Sequence, residues 1–310
     1  MRILVLGAGG IGGYYGARIQ AAGGDVTFLV RPARAKQLDK DGLNVTSAFG
    51  DLHLVAQCVT REELKSPFDV VILSCKAFDL GSAMDAIAPA VGEGTVILPL
   101  LNGVRHIEAL VERFGPWCVL GGVAAISVTL APHGEIQHLN KMHRFITGAR
   151  GTPAPAVLEP LAKLLATAGF DFILSNNIDQ ALWDKFVFLT SLAGATCTLR
   201  ASVGQILSTV AGETFITGLL DECASVAAAS GHAVAEAQLA AYRNQLTEKG
   251  SGLMASMLRD VEKGGPTEAD HILGDMVARA ESHGIAAPWL RLAYSHLQAY
   301  DARRQAAAAG

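Results

Sequence analysis

Three glycines near the start, Gly7, Gly9 and Gly12, stand in the spacing G-x-G-x-x-G. The stretch Gly7-Ala8-Gly9-Gly10-Ile11-Gly12 follows an apolar run and opens a helical one, the context that makes this spacing informative. The first glycine permits a tight turn. The second lets the backbone approach a pyrophosphate, and the third lets the helix pack on the strand. Helix N-terminal amides then face the phosphates. A site for NAD carries an acid about 20 residues further on, to hold the ribose 2′-hydroxyl. Here the chain reads Arg31-Pro32-Ala33-Arg34. A guanidinium at Arg31 suits a 2′-phosphate, which it can hold with charge-assisted bonds, so the expected cofactor is NADP(H). The alternative is a solvated loop arginine.

Lys185 lies in WDKFVFLTSLAG, residues 183–194, which is almost entirely apolar or small beyond the lysine. An ammonium is costly to bury without a partner. Three readings stay open. The stem can pack on Trp183 or Phe186 with its head in water, the charge can pair with Asp184 or a neighbouring helix, or the lysine is functional. On a helix, positions 185, 188, 189, 192 and 196 share a face. Glu268, in PTEAD, is expected in the first turn of a helix, where it favours the dipole, with Thr267 and Asp270 resembling a capping box. His133, His138 and His143 recur every five residues, which alternates faces on a strand, so no metal site is expected. No G-x-S-x-G occurs.

The elements that must position these groups fall into two textures. In the first half, short apolar runs at 3–6, 26–30, 70–74 and 95–98 suit strands buried on both faces of a parallel sheet. Helical patterns at 10–22, 33–40 and 80–88 lie between them, which implies a doubly wound α/β layer. Residues 126–130 and 136–139 flank Ala131-Pro132-His133-Gly134, a hairpin turn. A helix at 155–168 and a strand at 170–174 follow. Beyond Asn177 only helical patterns remain, at 180–193, 209–230, 235–248, 252–263, 267–283 and 289–299. The expected organisation is an N-terminal Rossmann-type α/β domain over 1–176 and an all-helical domain over 177–310, with a frayed tail from Arg303.

Of the 310 residues, half are hydrophobic and 17% charged, which supplies a packed core and argues against disorder. The formal net charge of −4 leaves no electrostatic footprint for nucleic acid and no polybasic membrane patch. Five scattered cysteines without a C-x-x-C pair speak for reduced thiols rather than disulfides or zinc. No run is long and apolar enough to span a bilayer. The chain enters a folded motif at once, so a protein without a signal peptide, in the cytoplasm, is expected.

Taken in order and spacing, several of these residues resemble the ketopantoate reductase (2-dehydropantoate 2-reductase) family over essentially the whole chain. The carriers are GAGGIGG, Arg31, Lys76 in SCKAFD, Asn102-Gly103 in PLLNGV, Trp183-x-Lys185, and SMLRD with PTEAD. The resemblance implies NADPH-dependent reduction of ketopantoate to pantoate, a step of pantothenate biosynthesis, in a cleft between a Rossmann domain and a helical domain. It implies that Lys185 protonates the ketone oxygen as hydride arrives and that Glu268 binds and orients substrate. It further implies that Ser256 binds substrate, that Asn102 lies near nicotinamide and substrate, and that Lys76 lies close to the cofactor. One departure stands out. In the family, asparagines commonly follow the lysine by four and by eight positions, where this chain has Leu189 and Ala193. That puts the substrate in question and predicts a pocket wall that is apolar at Leu189 and roomier at Ala193.

Two rivals accompany this reading: a relative acting on a different, less polar oxo acid or on a hydroxy acid, and a non-catalytic NADP(H) sensor. A sensor needs none of Lys185, Ser256 and Glu268. The long alanine-rich helices suit a homodimer interface and an intrachain core equally.

Overall fold

The computed structural model describes residues 1–309. The chain divides into two compact units. Unit 1 comprises Met1–Leu101 and His106–Ala181; unit 2 comprises Asn102–Arg105 and everything from Leu182 onward. The division thus runs inside a helix, a few residues past 176, and the short Asn102–Arg105 segment goes with the helical unit.

Unit 1 is an α/β structure. Its first sheet is fully parallel, in the order β5-β2-β1-β6-β7, from β1 (Arg2–Leu6), β2 (Asp25–Leu29), β5 (Gln57–Val59), β6 (Val70–Leu73) and β7 (Val96–Pro99). The run VVIL of β6 is buried at every position, as a strand covered on both faces requires. β1 is central, with β2 on one side and β6 on the other, so the chain reverses its direction of winding beside the carboxyl end of β1. Ligands of such sheets bind at that switch point.

A second sheet runs β10-β9-β3-β4, with β8 pairing β9 antiparallel. It is built from β3 (Leu43–Thr46), β4 (Leu52–Leu54), β8 (Gly121–Leu130), β9 (Ile136–Gly148) and β10 (Asp171–Leu174). Helix α1 (Gly10–Ala21) belongs to the core shared by both sheets, and its Tyr14, Tyr15 and Ile19 are fully buried. Glycine thins this helix where it must approach strands. A Cβ on Gly16 would stand 2.6 Å from the Phe28 ring, and one on Gly13 would stand 2.2 Å from Ile136. The remaining helices of unit 1 are α2 (Pro32–Asp41), α3 (Leu80–Ile87), α4 (Arg105–Phe114, in this unit from His106) and α5 (Leu158–Thr167).

Several details depart from the sequence expectations. β3, β4 and β5 are additional strands, and α4 fills a stretch where no element was expected, burying His106, Ile107 and Leu110. The hairpin strands are longer than expected, and β9 carries a bulge: Ile126 pairs with His143, yet Val128 pairs with His138. That irregularity cancels the alternation of the five-residue histidine spacing. The rings of His138 and His143 lie on one side, 5.9 Å apart, with Phe49 stacked on His143 at 3.6 Å. They are engaged by protein groups, His138 with Ser47 and His143 with the Tyr14 hydroxyl. Among the described residues no group of His, Cys, Asp or Glu is arranged to hold a metal ion, and no helix is long and apolar enough to cross a membrane.

Unit 2 is helical: α6 (Ile178–Leu199, in this unit from Leu182), α7 (Val203–Leu207), α8 (Gly212–Ala229), α9 (Glu236–Leu246), α10 (Ser256–Glu262), a π-helical turn at Asp270–Gly274, α11 (Asp275–Ser282) and α12 (Pro288–Ala309). α6 packs closely on α8 and α12 through Gly194, whose Cβ would meet Leu219 at 3.3 Å and Ala293 at 3.5 Å. The Glu222 carboxylate of α8 accepts the amides of Trp289 and Leu290 at 3.0 and 2.8 Å, satisfying donors at the start of α12. α12 continues helically through Ala309, so the expected fraying from Arg303 is not observed over the described residues.

Candidate active site

In unit 1 the glycine turn sits at the carboxyl end of β1. Gly7 takes φ +87°, a conformation that favours glycine, and its amide donates to Leu29 O at 2.9 Å, tying the turn to β2. Gly9 precedes α1, and a Cβ there would meet no protein atom within 4 Å. A Cβ on Gly12 would stand 2.6 Å from Gly7 O and 2.2 Å from Ser74 Oγ. The two glycines therefore serve different ends. Gly12 is required by protein packing, and Gly9 leaves an open approach to the first amides of α1, including those of Gly10 and Ile11. This arrangement fits a dinucleotide pyrophosphate.

A paired prediction follows from those two positions. Gly12→Ala should lower stability by about 1–3 kcal/mol, the scale of overpacking, and weaken cofactor binding with it. Gly9→Ala should leave the denaturation midpoint nearly unchanged and weaken cofactor binding alone. Denaturant melts and cofactor titrations of both variants check this, and equal midpoints would remove the distinction.

The two arginines after β2 are also separated by the structure. Arg34 is engaged: its Nη2 donates to Ala8 O at 2.9 Å and to Gly134 O at 3.0 Å, while Nη1 donates to Gln37 Oε1 at 2.7 Å. It braces the glycine turn against the β8–β9 hairpin. Arg31, at the N-cap of α2, has an exposed side chain. Lys76 lies just past β6 and caps the 3₁₀ turn Ala77–Asp79, half-buried.

In unit 2, α6 carries Lys185. The side chain is half-buried, but its ammonium sits in dry surroundings, and that burial lowers its pKa from the ordinary lysine value to about 8. The negative charge of Glu268 opposes the shift. Glu268 is 6% exposed and comes from the segment before the π-helical turn. The burial speaks against a head group in open water, and Glu268, 83 residues away in sequence, is the carboxylate whose charge acts on the ammonium. Trp183 is engaged elsewhere, stacked on His232 at 5.0 Å with the Arg279 guanidinium 5.2 Å from its ring.

The capping-box expectation at Thr267 fails. The Thr267 hydroxyl donates to Asp301, and Asp270 accepts from Tyr294 at 2.8 Å instead of returning to the cap. Glu268 itself stands one residue ahead of the first helical residue, at the start of the helix rather than inside its first turn.

Ser256 opens α10 and is half-buried. The preceding Ala255 amide donates to Thr196 Oγ1 at 3.4 Å, which anchors the Ser256 segment to α6. Asn102 belongs to unit 2, where its backbone is hydrogen-bonded to the His271 ring. Leu189, one turn after Lys185, is half-buried. Ala193 is 0% exposed, so its methyl is packed inside the unit and does not make a roomier open wall there. His271, Arg105 and Asp275 surround this region without a local signature; only the fold brings them together.

The ketopantoate reductase PanE/ApbA family profile matches residues 3–151, and the C-terminal profile of the same family matches 177–301. The chain belongs to the ketopantoate reductase family. It is 36% identical to the uncharacterised oxidoreductase YkpB of Bacillus subtilis over 98% of this chain and 100% of that one. The crystal structure of a 2-dehydropantoate 2-reductase from Geobacter metallireducens superposes with a TM-score of 0.88 at 31% identity, over 96% of this chain and 99% of that one. A D-mandelate dehydrogenase in complex with NADH and anilino(oxo)acetate shares the fold, with a TM-score of 0.88 at 22% identity over 98% and 100% of the two chains. Like other members of the ketopantoate reductase family, the protein is an NAD(P)-dependent oxidoreductase acting on a CH–OH group or its ketone.

Proposed function

We propose that the protein reduces a 2-oxo acid at the expense of NADPH, with ketopantoate the first substrate to test. The observation that carries this reading is the Lys185–Glu268 pair: a desolvated ammonium with a pKa of about 8 and a buried carboxylate beside it. A bound nicotinamide supplies the hydride that reaches C2 of the oxo acid. Charge then develops on the C2 oxygen. The Lys185 ammonium stabilises that charge and gives the oxygen its proton. Glu268 offsets the cost of burying the ammonium and, together with Asn102 and Ser256, binds and orients the substrate. Asn102 and Ser256, both in unit 2, are the polar groups assigned to the substrate's oxygens. Support for ketopantoate comes from the family match and from the Geobacter metallireducens relative named for that activity.

The second reading, a less polar 2-oxo acid, is favoured by Leu189 on the lysine's own helix. Anilino(oxo)acetate, seen with D-mandelate dehydrogenase, is an aryl-substituted oxo acid, so the shared fold does not require a hydroxylated substrate. NADPH oxidation measured with a panel of 2-oxo acids tests both readings. Tight NADPH binding with no turnover of any oxo acid would reject them in favour of a cofactor sensor.

The preference for NADPH rests on Arg31. Arg31→Ala should weaken NADPH binding by about 1.5–3 kcal/mol, the scale of a hydrogen bond to a charged group, and leave NADH binding almost unchanged. Arg34→Ala should weaken both cofactors, because Arg34 braces the glycine turn itself. Equal losses for NADPH and NADH in Arg31→Ala would contradict the assignment.

A further inference from the structure

His271 lies three residues beyond Glu268, in the π-helical turn Asp270–Gly274. The carbonyl of Glu268 accepts two amides, from His271 at 3.1 Å and Ile272 at 3.0 Å, which ties the glutamate's backbone to the histidine's turn. Such single π turns interrupt regular helices mostly at functional sites, because they shift a side chain out of helical register at a cost in backbone geometry.

The His271 ring reaches the loop that carries Asn102. It is hydrogen-bonded to the Asn102 backbone. It also lies against the next residue: Gly103 has φ +80°, and a Cβ there would stand 3.1 Å from Cδ2 and 3.3 Å from Nε2 of the imidazole. Both the conformation and the ring thus call for glycine at 103. Burial holds the imidazole below the ordinary histidine pKa and Arg105 adds to this, whereas Glu268, Asp275 and the Asn102 bond pull the other way. A neutral imidazole with one N–H is a fixed, short-range tether, unlike a flexible lysine or arginine.

We propose that His271 is a positioning residue: it clamps the Asn102–Gly103 loop to the turn that carries Glu268, so that Asn102 and Glu268 address one substrate in a fixed mutual arrangement. The proposal rests on the oxo-acid reductase reading, in which those two residues meet the substrate. It does not make His271 itself a proton donor; that role stays with Lys185. The clamp's effect is on the substrate end. NADPH is held by the glycine turn of unit 1, so its affinity should not depend on His271.

The test compares His271→Phe, which keeps a ring and deletes the hydrogen bond, with His271→Gln, which keeps a donor. In NADPH-dependent reduction of the best oxo acid of the panel, His271→Phe should lower kcat/KM by about 10–100-fold, the cost of misplacing a group by about an ångström. Most of the loss should appear in KM, with the NADPH dissociation constant unchanged. His271→Gln should recover at least half of the loss on a logarithmic scale. Gly103→Ala should reproduce the His271→Phe effect, and the double variant should be little worse than either single one. A merely structural histidine would lower the melting temperature and the active fraction but leave KM of the folded molecules unchanged, and that result overturns the clamp. So does a Gln variant as impaired as the Phe variant. If His271→Phe does not fold, the Gln and Gly103→Ala variants decide by the same KM criterion. If the parent protein turns over no oxo acid, the reductase reading fails and the clamp fails with it. A turning-over parent with unaltered variants overturns the clamp alone.

Discussion

Lys185→Ala should lower kcat for oxo-acid reduction by about 10²–10⁴, or about 3–5.5 kcal/mol in the barrier. In the proposed mechanism the ammonium supplies the charge and proton that the forming alkoxide needs. NADPH affinity should be retained, because the glycine turn and Arg31 belong to unit 1. The pH dependence carries the same signature with a definite sign. Burial brings the Lys185 pKa down from the ordinary 10.5 to about 8, against the pull of Glu268. Reduction requires the protonated form, so kcat should hold below that pKa and fall as pH rises through about 8. Oxidation of the corresponding hydroxy acid requires the neutral amine as base and should rise over the same interval. Stopped-flow measurement of NADPH oxidation by the parent and by Lys185→Arg gives the check. A guanidinium does not titrate in this range, so any residual activity of Lys185→Arg should lose the limb near pH 8. Near-native turnover in Lys185→Ala would return this lysine to a structural ion pair.

The second large effect concerns the substrate's hydroxyl. A site built to bond a hydroxyl rejects the analogue lacking it by about 10⁴–10⁵, whereas an apolar site discriminates by only about 10². Of the α6 hydroxyls, Ser191 donates to Val187 O at 2.8 Å and Thr196 to Leu192 O at 2.7 Å, while the Thr190 and Thr198 oxygens are buried without a hydrogen-bond partner. Leu189 is apolar and half-buried one turn from Lys185. Leu189 thus offers nothing to a 4-hydroxyl, and in the proposed reading its recognition falls to Ser256 and Asn102. The expected ratio of kcat/KM for ketopantoate over 3,3-dimethyl-2-oxobutanoate is below about a thousandfold. A larger ratio would mean that Ser256 or Asn102 reads the hydroxyl strongly and would establish strict ketopantoate reduction. Leu189→Asn should raise the ratio, since it returns an amide to the helix face that the lysine occupies.

Both effects depend on residues whose legibility in the sequence differs. The parallel strands of unit 1 can be read directly, because ILVL and VVIL are continuous apolar runs and VTFL nearly so, as a sheet covered on both faces requires. The glycine turn can be read for a related reason: its spacing states backbone requirements, and the φ of Gly7 and the crowding at Gly12 meet them. The short strands β3, β4 and β5 resist reading. They run over only three or four residues, too few for a period to emerge. The bulge in β9 is equally hidden, and with it the meeting of His138 and His143.

The lysine half-site is legible only as a resemblance. Lys185 in an apolar helix leaves three explanations open, and Glu268 reads locally as a helix-start carboxylate. What the sequence hides is the burial of the carboxylate and its charge acting on the ammonium, both properties of packing between α6 and the segment before α11. His271 is further out of reach. Nothing in DHILG announces a π turn, and the ring's partner is more than 160 residues upstream, in the Asn102–Gly103 loop.

Because that loop is counted with unit 2 while the chain on either side of it belongs to unit 1, the helical unit is not a contiguous stretch of the gene. An exchange of everything from Leu182 onward between two relatives would transfer Lys185, Leu189, Ser256, Glu268 and His271 together, and leave Asn102 and Gly103 behind. The transplanted histidine would then meet a foreign loop. Shuffling experiments on this scaffold should therefore move residues 102–105 with the C-terminal half, and substrate range should track that four-residue insert as well as the larger donor segment.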